Sequence, residues 1–141
     1  MAKRSKDLAR ILAKMDRIGK APREKMNAIL LKSANRVAAL QRYLAESSRD
    51  TGDLIDSITV TAPGQQTPPY SQPGGSAVAG PNEALITAGN SAVRYPHLVE
   101  FGSVNAEAQP FFWPAYRSER VKELAAIKRG GRKIIRDIWD K

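Results

Sequence analysis

The sequence predicts an α+β domain with N-terminal helices, a small mostly antiparallel β-sheet with a long hairpin loop, and a long C-terminal helix. Apolar residues recur at helical spacing near both ends of the chain, and strand-like alternation surrounds a proline- and glycine-rich stretch in the middle. The 141 residues are enough for one core. We therefore expect a single domain over residues 21–141, preceded by a basic helix or arm at residues 1–20.

Two helices open the chain. In residues 3–18, apolar residues recur at steps of three and four and basic residues fill the remaining positions, which predicts an amphipathic helix. Gly19 interrupts the pattern, and Pro22 suits the first turn of a new helix. A second apolar stripe then continues and fades at residues 47–53.

Two strands follow the helices. DSITVTA at residues 56–62 alternates apolar and polar side chains, and ALITAGN at residues 84–90 reads as a second short strand. The natural arrangement is an antiparallel hairpin across residues 63–81. Because that loop is rich in proline and glycine, we expect neither helix nor strand pairing inside it, and we expect it to reach outward as an arm.

The C-terminal third predicts one short and one long helix. Residues 91–101 suggest a short helix that Gly102 ends, since glycine readily takes the left-handed conformation of a helix terminus. The long helix begins around Pro114 and keeps helical spacing of apolar residues to Ile138. Gly130 and Gly131 fall on its apolar stripe, where they mark a kink, a break between two helices or a close packing contact.

Composition excludes several classes of protein. The chain contains no cysteine, which removes disulfides and thiolate chemistry and fits a reducing compartment. No stretch reaches the roughly 20 apolar residues of a membrane span, and the basic N-terminus lacks an apolar signal segment. We therefore expect no membrane partner and a protein that stays in the cytoplasm where it is made.

The charge is distributed unevenly. Residues 1–49 carry 13 basic and 4 acidic side chains, residues 50–116 carry 1 and 6, and residues 117–141 carry 9 and 4. Such a pattern fits nucleic acid bound at the basic ends, or basic and acidic surfaces that meet between copies of the chain. The candidate basic contacts are Lys3, Arg4, Lys6, Lys128, Arg129, Arg132 and Lys133.

The titratable residues predict no active site. His97 is the only histidine and stands three residues before Glu100, so we expect a structural pair on one helical face. A general base needs a substrate proton and usually a third group that orients it, and a metal needs three or four clustered ligands. The glycines of the long loop lack the lysine and hydroxyl of a phosphate-binding loop. We expect no catalytic residue, cofactor or metal.

Three motifs carry a resemblance to a known family. TGDLIDSI at 51–58, YPHLVEFGS at 95–103 and QPFFWPAY at 109–116 resemble, in this order, elements of a tailed-bacteriophage family of small neck or tail-completion proteins, over roughly residues 20–138. The long loop and the basic start depart from the family's pattern. The matching positions are Thr51, Gly52, Leu54, Ser57, Ile58, Tyr95, Val99, Glu100, Phe101, Gly102, Pro110, Phe111, Pro114 and Ala115.

The resemblance implies a structural virion protein without enzymatic activity. It implies a homo-oligomeric ring in the neck that joins the DNA-filled head to the tail, in contact with head-closure or connector, tail-terminator or tail-tube proteins. Assembly would take place in the host cytoplasm, and DNA would pass through the channel. The alternatives are a tail terminator that caps the tail tube, and a small basic DNA-binding protein.

Within this reading, two segments are expected to carry assembly. Glu100 would accept hydrogen bonds from backbone amides or an arginine, and Phe101, Phe111 and Trp113 would bury apolar area to hold the corner before the long helix. The long loop would become ordered against a neighbouring subunit. Its candidate contact residues are Pro68, Pro69, Tyr70 and Pro73.

Overall fold

A computed structural model describes residues 20–46 and 52–139, and within them the fold is α+β, as predicted. The predicted helix at residues 3–18 lies outside these ranges, as do Lys3, Arg4, Lys6 and Thr51. The elements are α1 (Lys20–Ala45), α2 (Asp53–Asp56), β1 (Thr59–Thr61), β2 (Leu85–Thr87), α3 (Pro96–Phe101) and α4 (Phe112–Trp139).

The two long helices α1 and α4 pack side by side in opposite directions. Near one end of the pair, the buried Gln41 side chain donates a hydrogen bond to the carbonyl of Phe112, 3.2 Å away. Near the other end, Ile29 of α1 lies against Gly130 of α4. The two helices form a long antiparallel pair, and the sheet and α2 pack near the C-terminal half of α1.

An ion pair joins the helices midway. Arg36 donates from Nε and a terminal nitrogen to the two carboxylate oxygens of Glu123, at 2.8 and 2.7 Å. The hydrogen bonds from Arg36 hold the pKa of the Glu123 carboxyl below its usual value, although burial acts in the opposite direction. The same contact raises the pKa of Arg36. Fork-to-fork geometry of this kind fixes the register of the two helices.

The two glycines of α4 mark a close packing contact, because the helix runs unbroken through them. A Cβ atom on Gly130 would lie 2.6 Å from Cδ1 of Ile29 and 3.3 Å from two further Ile29 carbons. A Cβ on Gly131 would meet nothing nearer than the Met26 sulfur at 3.7 Å. Only at Gly130 would a Cβ force a side chain of α1 to move.

We expect alanine at these neighbouring positions to have different effects on stability. Gly131→Ala should raise the free energy of unfolding by about 0.5–1 kcal/mol, the usual gain of alanine over glycine inside a helix. Gly130→Ala gains the same helix propensity, but its new methyl group must displace Ile29. Its free energy of unfolding should therefore be about 1–2 kcal/mol lower than that of Gly131→Ala. Urea unfolding of both variants measures the difference, and equal stabilities would contradict the close contact.

The hydrophobic core lies where α1, α2, the sheet and the beginning of α4 meet. Phe111 and Ile58 are its largest fully buried apolar side chains. Ala38 and Ala45 of α1 let the sheet and α2 approach the helix closely, and Phe112 closes the core from the side of α4.

Both strands are shorter than predicted. The hairpin is antiparallel, with Val60 opposite Ile86, but β1 begins only at Thr59, and Asp56, the first residue of the predicted strand, belongs to α2. Ser57 explains the change: its Oγ donates to the Leu54 carbonyl at 2.6 Å and accepts the Gly89 amide at 3.0 Å. This side chain ends α2 and ties it to the chain beyond β2.

The prediction that residues 63–81 contain no strand pairing and reach outward was wrong. Gln66 and Val78 form an antiparallel bridge that extends the hairpin. Beyond it the chain folds back, and Gln72 and Ala88 exchange two backbone hydrogen bonds of 2.9 Å. Prolines remove only their own amides, so the residues between them remain free to pair. Ser71 is fully buried as a result.

The short helix α3 begins at Pro96, five residues later than the predicted start. Pro96 accounts for the difference, because proline has no amide to donate inside a helix and disfavours the helical conformation of the residue before it. Earlier in the segment, Asn90 Oδ1 accepts hydrogen bonds from the amides of Ala92 and Val93, both at 2.9 Å, which stabilises a turn. Pro96 then takes a favoured position at the helix start.

Candidate functional site

The candidate site is the corner formed by residues 95–113, which runs from Tyr95 through α3 and a tight loop into the start of α4. Gly102 makes the turn at a φ of 81°, and a Cβ there would lie 2.8 Å from the amide nitrogen of Ala108. Glycine is required at this position by both conformation and space. The Gln109 amide donates to the carbonyl of Val99 at 2.7 Å, which closes the loop against α3.

Glu100 holds the corner together. Its Oε2 accepts the amides of Phe111 and Phe112 at 2.8 and 2.9 Å, and its Oε1 accepts the amide of Trp113 at 3.1 Å. The residue is only 5% exposed. The amides of Phe112 and Trp113 belong to the first turn of a 28-residue helix, and Phe111 immediately precedes it. Backbone donors at this end have no partner within the helix, and the helix dipole favours a negative charge. The expectation that Glu100 accepts backbone amides is confirmed; its role in assembly stays a prediction.

Aromatic side chains fill the inner side of the corner. Phe111, Phe112 and Trp113 meet successively edge to face, with ring centroids 6.3 and 5.1 Å apart. Phe111 is buried and Trp113 is half-buried, in line with the anchoring expected of them. Pro110 is exposed on the loop, and Pro114 is half-buried in the first turn of α4.

The expectation that Phe101 is buried was wrong, because this side chain is 69% exposed. The inner face of α3 is occupied by Pro96 and Glu100, which are buried, and by Val99, which packs against the core. Phe101 lies on the outer face, three residues after Leu98. Burial on so short a helix is decided by which face turns inward, and the motif alone does not reveal that.

His97 and Glu100 do not form the expected pair. His97 Nδ1 lies 3.0 Å from Nε2 and 3.2 Å from Oε1 of Gln72, so its partner is the amide side chain at the tip of the long loop. Both carboxylate oxygens of Glu100 are engaged by backbone amides. In residues 20–46 and 52–139, no group of three or more His, Asp or Glu side chains is arranged to hold a metal ion.

The tip of the long loop rests on the corner. The Arg94 guanidinium lies over the Tyr70 ring, 3.8 Å from its centroid, which is a cation–π contact. Pro73 lines an open cleft of about 260 Å³ between the loop and the start of α4. Pro69 and Tyr70 remain exposed, and Pro68 is half-buried. The loop thus forms one wall of the corner.

The outer face of the corner is apolar. Tyr95, Leu98 and Phe101 follow at steps of three and are 40%, 45% and 69% exposed. Val104 lies in the loop two residues after Gly102 and is fully exposed. We call these four residues the apolar row. Sequence reasoning missed Leu98 and Val104, although the three-residue steps across a short helix are the signal that could have found them.

The remaining sequence-predicted residues lie away from the corner's outer face. Gly52 precedes α2 with a φ of 88°, and Leu54 is a core residue. Four predicted basic contact residues are exposed on the C-terminal half of α4, namely Lys128, Arg129, Arg132 and Lys133. In the described part of the chain, no helix is long and apolar enough to cross a membrane.

The buried carboxylate of the corner is engaged by backbone amides, and the corner's outer surface is apolar. The chain belongs to the HK97-gp10-like family, described as "Bacteriophage HK97-gp10, putative tail-component", whose sequence profile matches residues 9–102. The first two sequence motifs lie in this range, apart from the last residue of the second, and the third lies beyond it. No curated protein and no solved structure matched the chain. The protein is thus a structural component of a bacteriophage tail.

Proposed function

We propose that this protein forms a ring in the neck of a tailed bacteriophage, where it completes the tail and joins it to the DNA-filled head. Family membership supports a structural role in the tail. The position in the neck, the ring and the contacts with head-closure, connector, tail-terminator or tail-tube proteins are the parts that we propose.

The observation that carries the proposal is the apolar row on a corner of fixed geometry. Contiguous exposed apolar side chains usually mark a surface that binds another protein. Three backbone hydrogen bonds to Glu100 and the Gly102 turn hold the row in place. A surface that is ordered before binding loses little conformational entropy when its partner arrives.

The partner that we propose for the apolar row is the outer face of α1 on a neighbouring copy. Exposed residues follow there at steps of seven and four, so they share one helical face. They are Ala28, Asn35, Ala39 and Tyr43. The two small alanine side chains leave room for Leu98 and Phe101, and Tyr43 is 74% exposed without any role in the chain's own core.

Charge favours the same pairing. Lys25 and Lys32 are exposed on this same α1 face, whereas Glu107 is exposed in the loop that carries Val104 of the apolar row. More broadly, residues 50–116 carry 1 basic and 6 acidic side chains. Because the two surfaces differ, their contact is head-to-tail, and such contacts close into a ring when the rotation per subunit divides a full turn.

The chain's lack of cysteine allows a direct test of this contact. We expect the variants Phe101→Cys and Ala39→Cys to form a disulfide-linked dimer when mixed under mild oxidation, and the double variant to form a ladder of linked subunits. Val121→Cys on α4, also exposed, replaces Ala39→Cys as the control and should not cross-link. Efficient dimers of Phe101→Cys alone would indicate a symmetric contact and contradict the head-to-tail ring.

Particles made without this protein distinguish its place in the virion. A joining component leaves DNA-filled tailless heads beside free tails of normal length, and electron micrographs of lysates show both. Free tails of variable or excessive length would assign the chain to the tail terminator instead. Infectious, intact virions would overturn the proposal altogether.

A further inference from the structure

Five basic side chains form a continuous outer face on the C-terminal half of α4. All five are exposed, and Asp137 is the only acidic residue from position 124 to position 139. The five are Lys128, Arg129, Lys133, Arg132 and Arg136. At 100° per residue they cover about 140° of the helix surface, and we call them the basic face.

The basic face points away from the body of the protein. Gly130 and Gly131 turn toward Ile29 and Met26 of α1, so the side of α4 that carries them is the packed side. The five cations lie on the opposite side. Within residues 20–46 and 52–139, none of them forms a hydrogen bond or ion pair with another residue, in contrast to Arg36 and Lys122, which are paired with carboxylates.

We propose that the basic face binds the phosphate backbone of double-stranded DNA without sequence preference. Lys128, Arg132 and Arg136 follow at steps of four residues, about 6 Å along the helix axis. Duplex DNA offers a dense row of negative charges, about one per 1.7 Å of its axis, which several cations in line engage together. Three of the five are arginines, whose planar guanidinium suits bidentate contacts with phosphate.

An acidic surface of a neighbouring copy is the weaker match. The exposed acidic residues of the central segment are separated in sequence, and the described ones are Asp53, Asp56, Glu83 and Glu107. The basic face also lies far from the corner, since Lys128 follows Phe112 by 16 residues, or about 24 Å of helix. Both surfaces can therefore be occupied at the same time, and the inference does not depend on the proposed ring.

The test compares two triple variants of the full chain. Arg129→Gln, Arg132→Gln and Lys133→Gln remove three of the five charges of the basic face, and Arg117→Gln, Arg120→Gln and Lys122→Gln remove the same charge from exposed positions in the first half of α4. Fluorescence anisotropy with a 20-base-pair duplex of arbitrary sequence gives the affinity at several salt concentrations. Light scattering of each variant gives its oligomeric state.

We expect the parent to bind and its affinity to fall steeply with salt. Loss of three phosphate contacts should weaken binding at low salt by about tenfold or more and lower the slope of log affinity against log salt by about 2–3. The control variant should keep a slope close to that of the parent.

Three results would overturn the inference. The first is that the parent does not bind the duplex at low salt. The second is that both triple variants lose affinity equally, which would reflect net charge alone. The third is that the basic-face variant keeps its DNA affinity but fails to join heads and tails, which would indicate that the basic face binds an acidic protein. A protein that binds DNA as described but stays monomeric would contradict the proposed ring and leave this inference standing.

Discussion

Replacing Glu100 by glutamine is expected to lower the free energy of unfolding by about 3 kcal/mol, the largest loss that we expect from any single isosteric change in this protein. The melting temperature should fall by about 10 °C. The carboxylate accepts three backbone amides, whereas a glutamine offers one acceptor oxygen and turns an NH₂ group toward donors. At least one amide of the first turn of α4 then stays buried without a partner.

The loss of the negative charge lowers the free energy of unfolding further, beyond the effect of the lost hydrogen bonds. A negative charge at a helix N-terminus interacts favourably with the helix dipole, and the effect is larger in a buried site than on the surface. Glu100 is 5% exposed, so water does not readily replace the missing acceptor. Because α4 is the longest of the described elements, weakening its first turn also loosens the aromatic cluster that begins with Phe111.

Glu107→Gln is the matched control for this change. It removes the same charge from the same corner, but the side chain is exposed and should change stability by less than about 0.5 kcal/mol. Urea or thermal unfolding of both variants decides the matter. If Glu100→Gln has the same melting temperature as the parent protein, the carboxylate does not fix the corner.

The long helices were predictable because their apolar stripes repeat over many turns. Met26 and Ile29 of α1 contact the α4 stripe at Gly131 and Gly130. The apolar residues that recur at helical spacing in the sequence therefore form the interface between the two helices. The close contact at Gly130 was one of three interpretations left open by the sequence. Choosing between them requires knowing that Ile29 lies opposite, which is a property of the helix pair and not of either helix alone.

The segments between the helices were harder to predict because single side chains decide them. Asn90 binds two amides in the turn before α3, and Ser57 ends α2 and contacts Gly89. Such side-chain-to-backbone contacts have no period that a sequence displays. For the same reason, Gln72 was not foreseen as the partner of His97, since the loop that carries it folds back over the corner.

For the candidate site, the sequence indicated that Glu100 accepts hydrogen bonds, but it did not indicate which side chains are exposed. The family resemblance placed Glu100 at the corner before the long helix, with backbone amides or an arginine as its expected hydrogen-bond donors. Phe101 was expected inside because large aromatic residues usually are. Its exposure follows from α3 turning Pro96 and Glu100 inward, and that exposure makes Phe101 a candidate contact with another subunit.

Replacing Phe101 by serine is therefore expected to disrupt assembly while leaving the fold intact. The side chain is 69% exposed in the isolated chain, so its loss should change the free energy of unfolding by less than about 0.5 kcal/mol. If it packs against α1 of a neighbour, truncation should cost about 2 kcal/mol or more per contact, as for aromatic anchors at other interfaces. That is a loss of roughly 30-fold in affinity at each contact.

A matched control separates this effect from a general loss of exposed apolar area. Val121 on α4 is 77% exposed and lies outside the apolar row, so Val121→Ser should assemble as the parent does. Sedimentation of the purified variants reports oligomer formation, and complementation of particles that lack the protein reports head–tail joining. Because a ring needs every contact to hold at once, Phe101→Ser should fail in both assays over a wide concentration range. Normal rings and normal joining with serine at this position would show that the apolar row is not an assembly surface.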